Sequence, residues 1–218
     1  SHFFNVRTKI NEEAEKRATS IYLVDRTIPM LPEKLSNNLC SLRPDVDRLT
    51  YSVIIKFDKE FSIIDSWIGK TVIHSNKRFT YEEAQNSIDS NDGIFHSELT
   101  ILNSIAKKIR SNRFISGSFN FGSDEIKFKL NEKKEPIEVY KKQRKDTHKM
   151  VEEYMLLANK IVAEEIITLE KEEKKNYPFV YRIHEEPEQG KVNELKNYIK
   201  QFGSVSYTHL TLPTTYEV

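Results

Sequence analysis

Basic side chains alternate with phenylalanines through the middle of the chain. Lys107, Lys108, Arg110 and Arg113 run into Phe114, Phe119 and Phe121, and Lys141, Lys142, Arg144, Lys145 and Lys149 follow. Cations beside exposed rings suit single-stranded nucleic acid, because phosphates seek the charge and each base can stack on a ring for about 1–3 kcal/mol. The competing reading places Phe119 and Phe121 in a core and leaves the lysines to solvate a surface. The burial habits of phenylalanine favour that second reading.

Other chemistries leave weaker traces. There is no CxxC, HExxH or Walker-type glycine loop, and the six histidines are scattered. Asp45 and Asp47 stand between Arg43 and Arg48, where turn formation or ion pairing outweighs metal binding. No Ser, His and Asp set declares a triad, since geometry and not mere presence defines one. With 34 Lys+Arg against 33 Asp+Glu the net charge is +1, which excludes a polycation; any contact with nucleic acid must come from local clustering.

The single cysteine cannot form an internal disulfide, and Cys40, between Leu39 and Ser41, reads as a small buried hydrophobe. No segment approaches the roughly 20 apolar residues of a membrane span, and the first residues lack a secretory pattern. A cytoplasmic setting without a membrane partner is the default expectation.

The elements that must position these residues mix strands with helices. Asn11 is the expected N-cap of a helix from Glu12 to Thr19, followed by a strand from Ser20 to Val24. Pro29 and Pro32 impose an extended loop, and Glu33 to Leu39 can make one or two helical turns. Leu49 to Asp58 and Phe61 to Ser75 alternate apolar and polar residues, as antiparallel strands do.

Thr80 and Glu83 have the spacing of a capping box, which starts a helix that Asn91-Asp92-Gly93 ends. Ser97 should cap the next helix, with Leu99, Leu102, Ile105, Ala106 and Ile109 inward. Ile126 to Leu130 and Ile137 to Tyr140 should pair. A long helix from Asp146 to Lys171 should bury Val151, Tyr154, Met155, Ala158, Ile161, Val162, Ile166 and Leu169. A strand from Tyr177 to His184 and a helix from Lys191 to Phe202, with Leu195, Tyr198, Ile199 and Phe202 inward, complete an α+β unit with a mixed or antiparallel sheet and packed helices.

Both ends read as cut. Ser1-His2-Phe3-Phe4 resembles the tail of a strand, and VSYTHLTLPT from Val205 resembles the translation of a sequencing-library transposon adapter. The expected division is a partial domain over 1–203, truncated at both ends, and a non-native tail over 204–218.

The run RATSIYLVDRTIPMLPEKLSNNLCSLRPDVDRLTYSV, from Arg17, resembles the central block of the RNB domain of ribonuclease II/R exoribonucleases, most of all the ribonuclease R branch. KRFTYEEAQ, FISGSFNFGSDEIKFKL, RKDTHKMVEEYMLLANKIVAEEI and YRIHEEP continue the likeness in the family's order, and SHFF matches the end of the family's ADVSHFV strand.

The resemblance implies processive 3′-to-5′ hydrolysis of single-stranded RNA to nucleoside 5′-monophosphates. Mg²⁺ would be held by an aspartate cluster expected before Ser1, so the chain alone is expected to be inactive, with no catalytic or metal-binding residue of its own. The family's catalytic arginine and S1 domain are expected beyond Gly203. Single-stranded RNA is the implied partner, with no obligate protein partner inferred.

Four substrate-binding positions carry over by resemblance. Tyr22 matches a tyrosine that positions the terminal nucleotide near the metal site. Phe121, with Phe119 two residues earlier on the same strand face, matches the phenylalanine that stacks on the 3′-terminal base. Glu152 matches a glutamate that hydrogen-bonds the substrate at a ribose hydroxyl, and Tyr81 matches a tyrosine near the RNA path. Against these stand packing roles for Tyr22 and Phe121, a solvated helix position for Glu152 and a helix-start staple for Tyr81. The alternative function is a non-catalytic RNA-binding or scaffold module of the same fold.

Overall fold

The computed structural model describes residues 5–118, 125–180 and 185–203. These form an α+β arrangement divided into two compact units, 1–110 with 121–162 and 111–120 with 163–218.

In the first unit, helix α1 spans Lys9–Arg17 and starts earlier than Asn11 suggests. Thr8 occupies the N-cap in extended conformation, while the Asn11 amide donates to Glu15 Oε1 at 2.9 Å from within the helix. Ala18 ends it at φ 57°, in the left-handed region. The expected strand shortens to β1 (Ile21–Tyr22), which pairs with β2 (Thr27–Ile28) as a small antiparallel hairpin. The proline loop is tied back to this start: the Met30 amide donates to Ser20 Oγ at 3.0 Å, and Arg17 Nη1 donates to the Pro29 carbonyl at 3.1 Å.

A π-helical turn, Lys34–Leu39, follows. Cys40 closes it by donating its amide to the Leu35 carbonyl at 2.8 Å, and its side chain is exposed, which corrects the buried placement expected from composition. Leu42, two residues on, is itself 56% exposed.

Strands β3 (Asp47–Phe57) and β4 (Ile63–His74) pair antiparallel along their whole length, as the alternation predicts. Asp58 shapes their turn by accepting from the amides of Glu60 and Ser62 at 2.9 and 2.7 Å. Asp47 joins His74 across the pair at 2.7 Å, a cross-strand role and not a metal-ligand one. On the same hairpin the Trp67 ring fills the space over Gly69: a Cβ there would lie 2.3 Å from ring atoms.

Helix α2 (Tyr81–Ser90) begins with the capping box read from sequence; the Thr80 amide donates to Glu83 Oε2 at 2.7 Å and the Glu83 amide to Thr80 Oγ1 at 3.2 Å. Helix α3 (His96–Ile115) starts one residue before Ser97, whose hydroxyl bonds to Glu98 and so does not cap it. β5 (Glu125–Leu130) and β6 (Pro136–Lys142) pair as expected, and α4 spans Asp146–Glu173.

The core lies where α2, α3 and α4 meet: Ala84, Leu99, Ala106 and Met150 are buried together, with Phe79, Ile88 and Tyr154 against them. Two stripe assignments shift. On α4 the buried positions are Thr147, Met150, Glu153, Leu157 and Ile161, while Val151 and Met155 are 37% and 61% exposed. On α3, Asn103 is buried and Leu102 is exposed; the Leu102 carbonyl instead accepts the Tyr154 hydroxyl at 3.0 Å. Burial pushes the Tyr154 phenol up to about 12, consistent with its permanent role as that donor.

In the second unit, Arg113 lies over the Phe114 ring at 5.2 Å. Tyr177 docks by its amide to Glu170 Oε1 at 2.9 Å, and residues 177–180 form no strand; 181–184 lie outside the described residues. Helix α5 spans Gln189–Lys200 and buries none of its residues. Tyr198 and Phe202 meet edge to face at 5.0 Å but stay 60% and 68% exposed, so the face expected to point inward is open. With few apolar neighbours described in this unit, amphipathic spacing alone cannot bury a face.

Candidate nucleic-acid interface

Tyr81 is the first residue of α2, placed by the capping box, and the start of α4 holds both its backbone and its ring. Thr147, only 1% exposed, donates its hydroxyl to the Tyr81 carbonyl at 3.1 Å and its amide to Gln85 Oε1 at 3.1 Å. The second bond satisfies an amide that the first turn of α4 would otherwise leave orphaned. The next residue, His148, stacks on the Tyr81 ring with centroids 4.1 Å apart and planes 13° from parallel. One ring face of Tyr81 is therefore occupied, yet the residue remains 42% exposed. The ring is thus held from one side by α4 while it also meets solvent.

Glu152 lies farther along α4 with its side chain 34% exposed, and it is not simply solvated. Arg144 Nη2 donates to Glu152 Oε2, and Arg110 Nη1 lies 3.9 Å from Oε1. The same arginine nitrogen donates to Glu153 Oε1 at 2.9 Å, and that carboxylate is almost wholly buried at 1% exposure. Adjacent glutamates thus divide the work: Glu153 braces α4 against α3, and Glu152 stands at the edge within reach of two guanidinium groups.

Much of the basic cluster is already paired. Asp146 receives Lys107 at 2.9 Å and Lys149 at 3.4 Å. The hydrogen bond from Lys107 is the main reason its carboxyl is held below the ordinary aspartate range. Lys142, Arg144 and Lys145 gather instead around His148; burial, and then Lys142, lower its pKa below the ordinary value. The interleaved cations therefore brace α3 to α4 as well as lining a surface, so charge spacing alone overstated how much of the run is available to phosphate.

Tyr22 sits apart from this arrangement, on β1, with 80% of its surface exposed. That rules out the core placement weighed for it. Nothing among the described contacts joins it to Tyr81 or Glu152: the segment 144–152 carries Glu152 and contacts Tyr81, while Tyr22 lies on the β1–β2 hairpin. Phe121 and Phe119 lie outside the described residues.

The residues missed from sequence are Thr147, His148 and Glu153. RKDTH carries a legible signal, since Asp and Thr before an apolar helix suit its first turn. Burial of Glu153 depends on Arg110, forty-three positions away, and has no local sign.

No group of three or more His, Cys, Asp or Glu among the described residues could hold a metal ion. Asp146 is engaged by lysines, and Glu152 and Glu153 by arginines. No described helix is long and apolar enough to cross a membrane.

The family model for the RNB domain matches residues 1–216. Ribonuclease R 1 of Lactococcus lactis is 32% identical over 209 residues, covering 93% of this chain and 25% of the relative. Ribonuclease R of Thermotoga maritima is 34% identical over 209 residues, covering 93% and 29%. The solved structure of Mycoplasma genitalium RNase R in complex with ribose-methylated single-stranded RNA superposes with a TM-score of 0.78 at 26% identity, over 96% of this chain and 33% of that one. The chain spans about a quarter to a third of the length of these relatives. Matched by its family model over nearly all its length, it belongs to the RNB-domain family, the family of the ribonuclease R exoribonucleases.

Proposed function

We propose that this chain is an RNA-guiding part of a 3′-to-5′ exoribonuclease that degrades single-stranded RNA processively to nucleoside 5′-monophosphates in the cytoplasm. The observation that carries the reading is the joint placement of Tyr81 and Glu152 by one stretch of α4, among Arg110, Arg144, Lys142 and Lys145. An aromatic face, a carboxylate acceptor and cations answer the base, the ribose hydroxyl and the phosphate of one RNA strand. Tyr22 adds an exposed ring for the strand's terminal nucleotide.

Divalent ions would supply water activation and charge neutralisation in such a reaction, and the described residues of this chain do not hold them. In this reading the hydrolytic centre is completed by aspartates outside the chain, while Tyr22, Tyr81 and Glu152 orient the strand, with Phe121 as a further stacking residue.

The test is release of nucleoside 5′-monophosphates from single-stranded RNA by the complete protein that carries this chain, with and without Mg²⁺. Mg²⁺-dependent monophosphate release is expected, and a folded preparation that releases none would overturn the proposal. Replacing Tyr22 by alanine should weaken RNA 3′-end binding by about 1–3 kcal/mol, the worth of one stacked base, without changing the melting temperature. Unchanged affinity would remove Tyr22 from the RNA path.

A further inference from the structure

His148 meets α2 and the segment before α4 at once, within the electrostatic reach of Lys142 at the end of β6. Its ring lies 4.1 Å from that of Tyr81, in near-parallel planes. Its Nδ1 accepts the Lys145 amide proton at 3.2 Å. A nitrogen that accepts an N–H bears no proton of its own, so in the neutral ring the proton sits on Nε2. Nε2 is withdrawn from solvent and has no hydrogen-bond partner among the described residues. The charged groups facing the ring are Glu82 from the first turn of α2, Lys142 from the end of β6, and Arg144 and Lys145 from the segment leading into α4.

A buried donor left unmatched costs of the order of 1–3 kcal/mol. Residue types that pack against a tyrosine without that cost are plentiful, so the imidazole has some other use here. Only an aromatic ring carrying an acceptor can cover the Tyr81 face and also receive the Lys145 amide. Protonation would place a hydrogen on Nδ1 against the Lys145 N–H, donor against donor, and would add a cation beside Lys142, Arg144 and Lys145.

We propose that His148, as the neutral Nε2–H tautomer, is a positioning residue for Tyr81, fixing the plane of the ring that Tyr81 offers to RNA and releasing it when the imidazole is protonated. This rests on the reading of Tyr81 as an RNA contact. Thr147 holds the Tyr81 backbone whatever the protonation state, so the switch acts on ring orientation and leaves α2 in place.

The test uses the complete protein, with single-stranded RNA bearing a free 3′ hydroxyl as the probe and metal chelated so that only binding is read. Tyr81→Ala and His148→Ala should each weaken binding about two- to tenfold, the range of one aromatic pair, and the double replacement should be no worse than Tyr81→Ala alone. His148→Phe should bind within about twofold of the natural protein near pH 8 and lose the fall in affinity that the natural protein shows toward about pH 5.5.

If Tyr81→Ala weakens binding while His148→Ala does not, or if the two effects multiply, the positioning role is overturned and the RNA contact stands. If Tyr81→Ala leaves affinity unchanged, the RNA contact fails and the proposal with it. A readout independent of binding is the ¹⁵N spectrum of the histidine ring in the unsubstituted protein: the Nε2–H tautomer is expected near neutral pH, and a proton on Nδ1 would overturn the proposal.

Discussion

Arg110 Nη1 lies 2.9 Å from Glu153 Oε1, a carboxylate 1% exposed between α3 and α4. Removing one member of a buried ion pair strands the other charge, at a cost of about 3–5 kcal/mol. Glu153→Ala leaves Arg110 with Glu152 3.9 Å away, so it should lower the unfolding free energy in urea titrations by less than that, about 1–3 kcal/mol. A loss under about 1 kcal/mol would show that solvent reaches the guanidinium readily. The joint replacement Arg110→Met, Glu153→Leu removes both charges and should recover most of the loss.

Two methionines on α4 test the register of its buried stripe. Met150 is 8% exposed within the core cluster, and Met155 is 61% exposed. Met150→Ala should cost about 2–5 kcal/mol, and Met155→Ala should stay within about 0.5 kcal/mol. Equal losses at the two positions would contradict the observed helix rotation.

Gly69 and Trp67 offer an optical test, because the chain has a single tryptophan. A methyl at position 69 would meet the ring 2.3 Å away, so Gly69→Ala must displace the indole, and Trp67, 49% exposed, has solvent to move into. The expected result is a red-shifted fluorescence emission with more efficient acrylamide quenching. An unchanged spectrum would mean that the backbone of β4 gave way in place of the ring.

Acid should weaken the protein in two separate windows. His148 binds a proton less readily folded than unfolded, mainly through burial, with Lys142 adding to the effect. Its contribution is present above the ordinary value of 6.5 and is lost as pH falls through its lower folded pKa. Asp146, held down by the hydrogen bond from Lys107, contributes above its ordinary 3.8 and loses that contribution only at lower pH. Melting temperatures measured from about pH 7 to pH 5 should fall more steeply for the natural chain than for His148→Phe. Parallel slopes would show that His148 does not control this window.

The reading of particular elements shows why some features were legible early. The Thr80–Glu83 box and the β3–β4 and β5–β6 pairings rest on interactions between neighbours or on period-two alternation, so a short window contains the whole cause. The α4 stripe was misread by roughly one position because apolar residues occur around most of that helix. Which side faces inward is settled by Leu99 and Ala106 on α3 and Ala84 on α2. Cys40 and α5 failed for the complementary reason: apolar character creates a demand for burial, and a partner surface must meet it.

Local sequence by itself determined the α+β class, the Thr80-capped start of α2, the β3–β4 and β5–β6 hairpins and, through ordered motifs, the family. Tertiary structure alone decided that Tyr81 and Glu152 are served by one stretch of α4, that Glu153 is buried and Glu152 stands at the edge, and that His148 meets both the Tyr81 ring and the Lys145 amide. The physical reason is range. Capping and alternation act within a few residues, whereas ion pairing, ring stacking and desolvation depend on groups that only folding brings together.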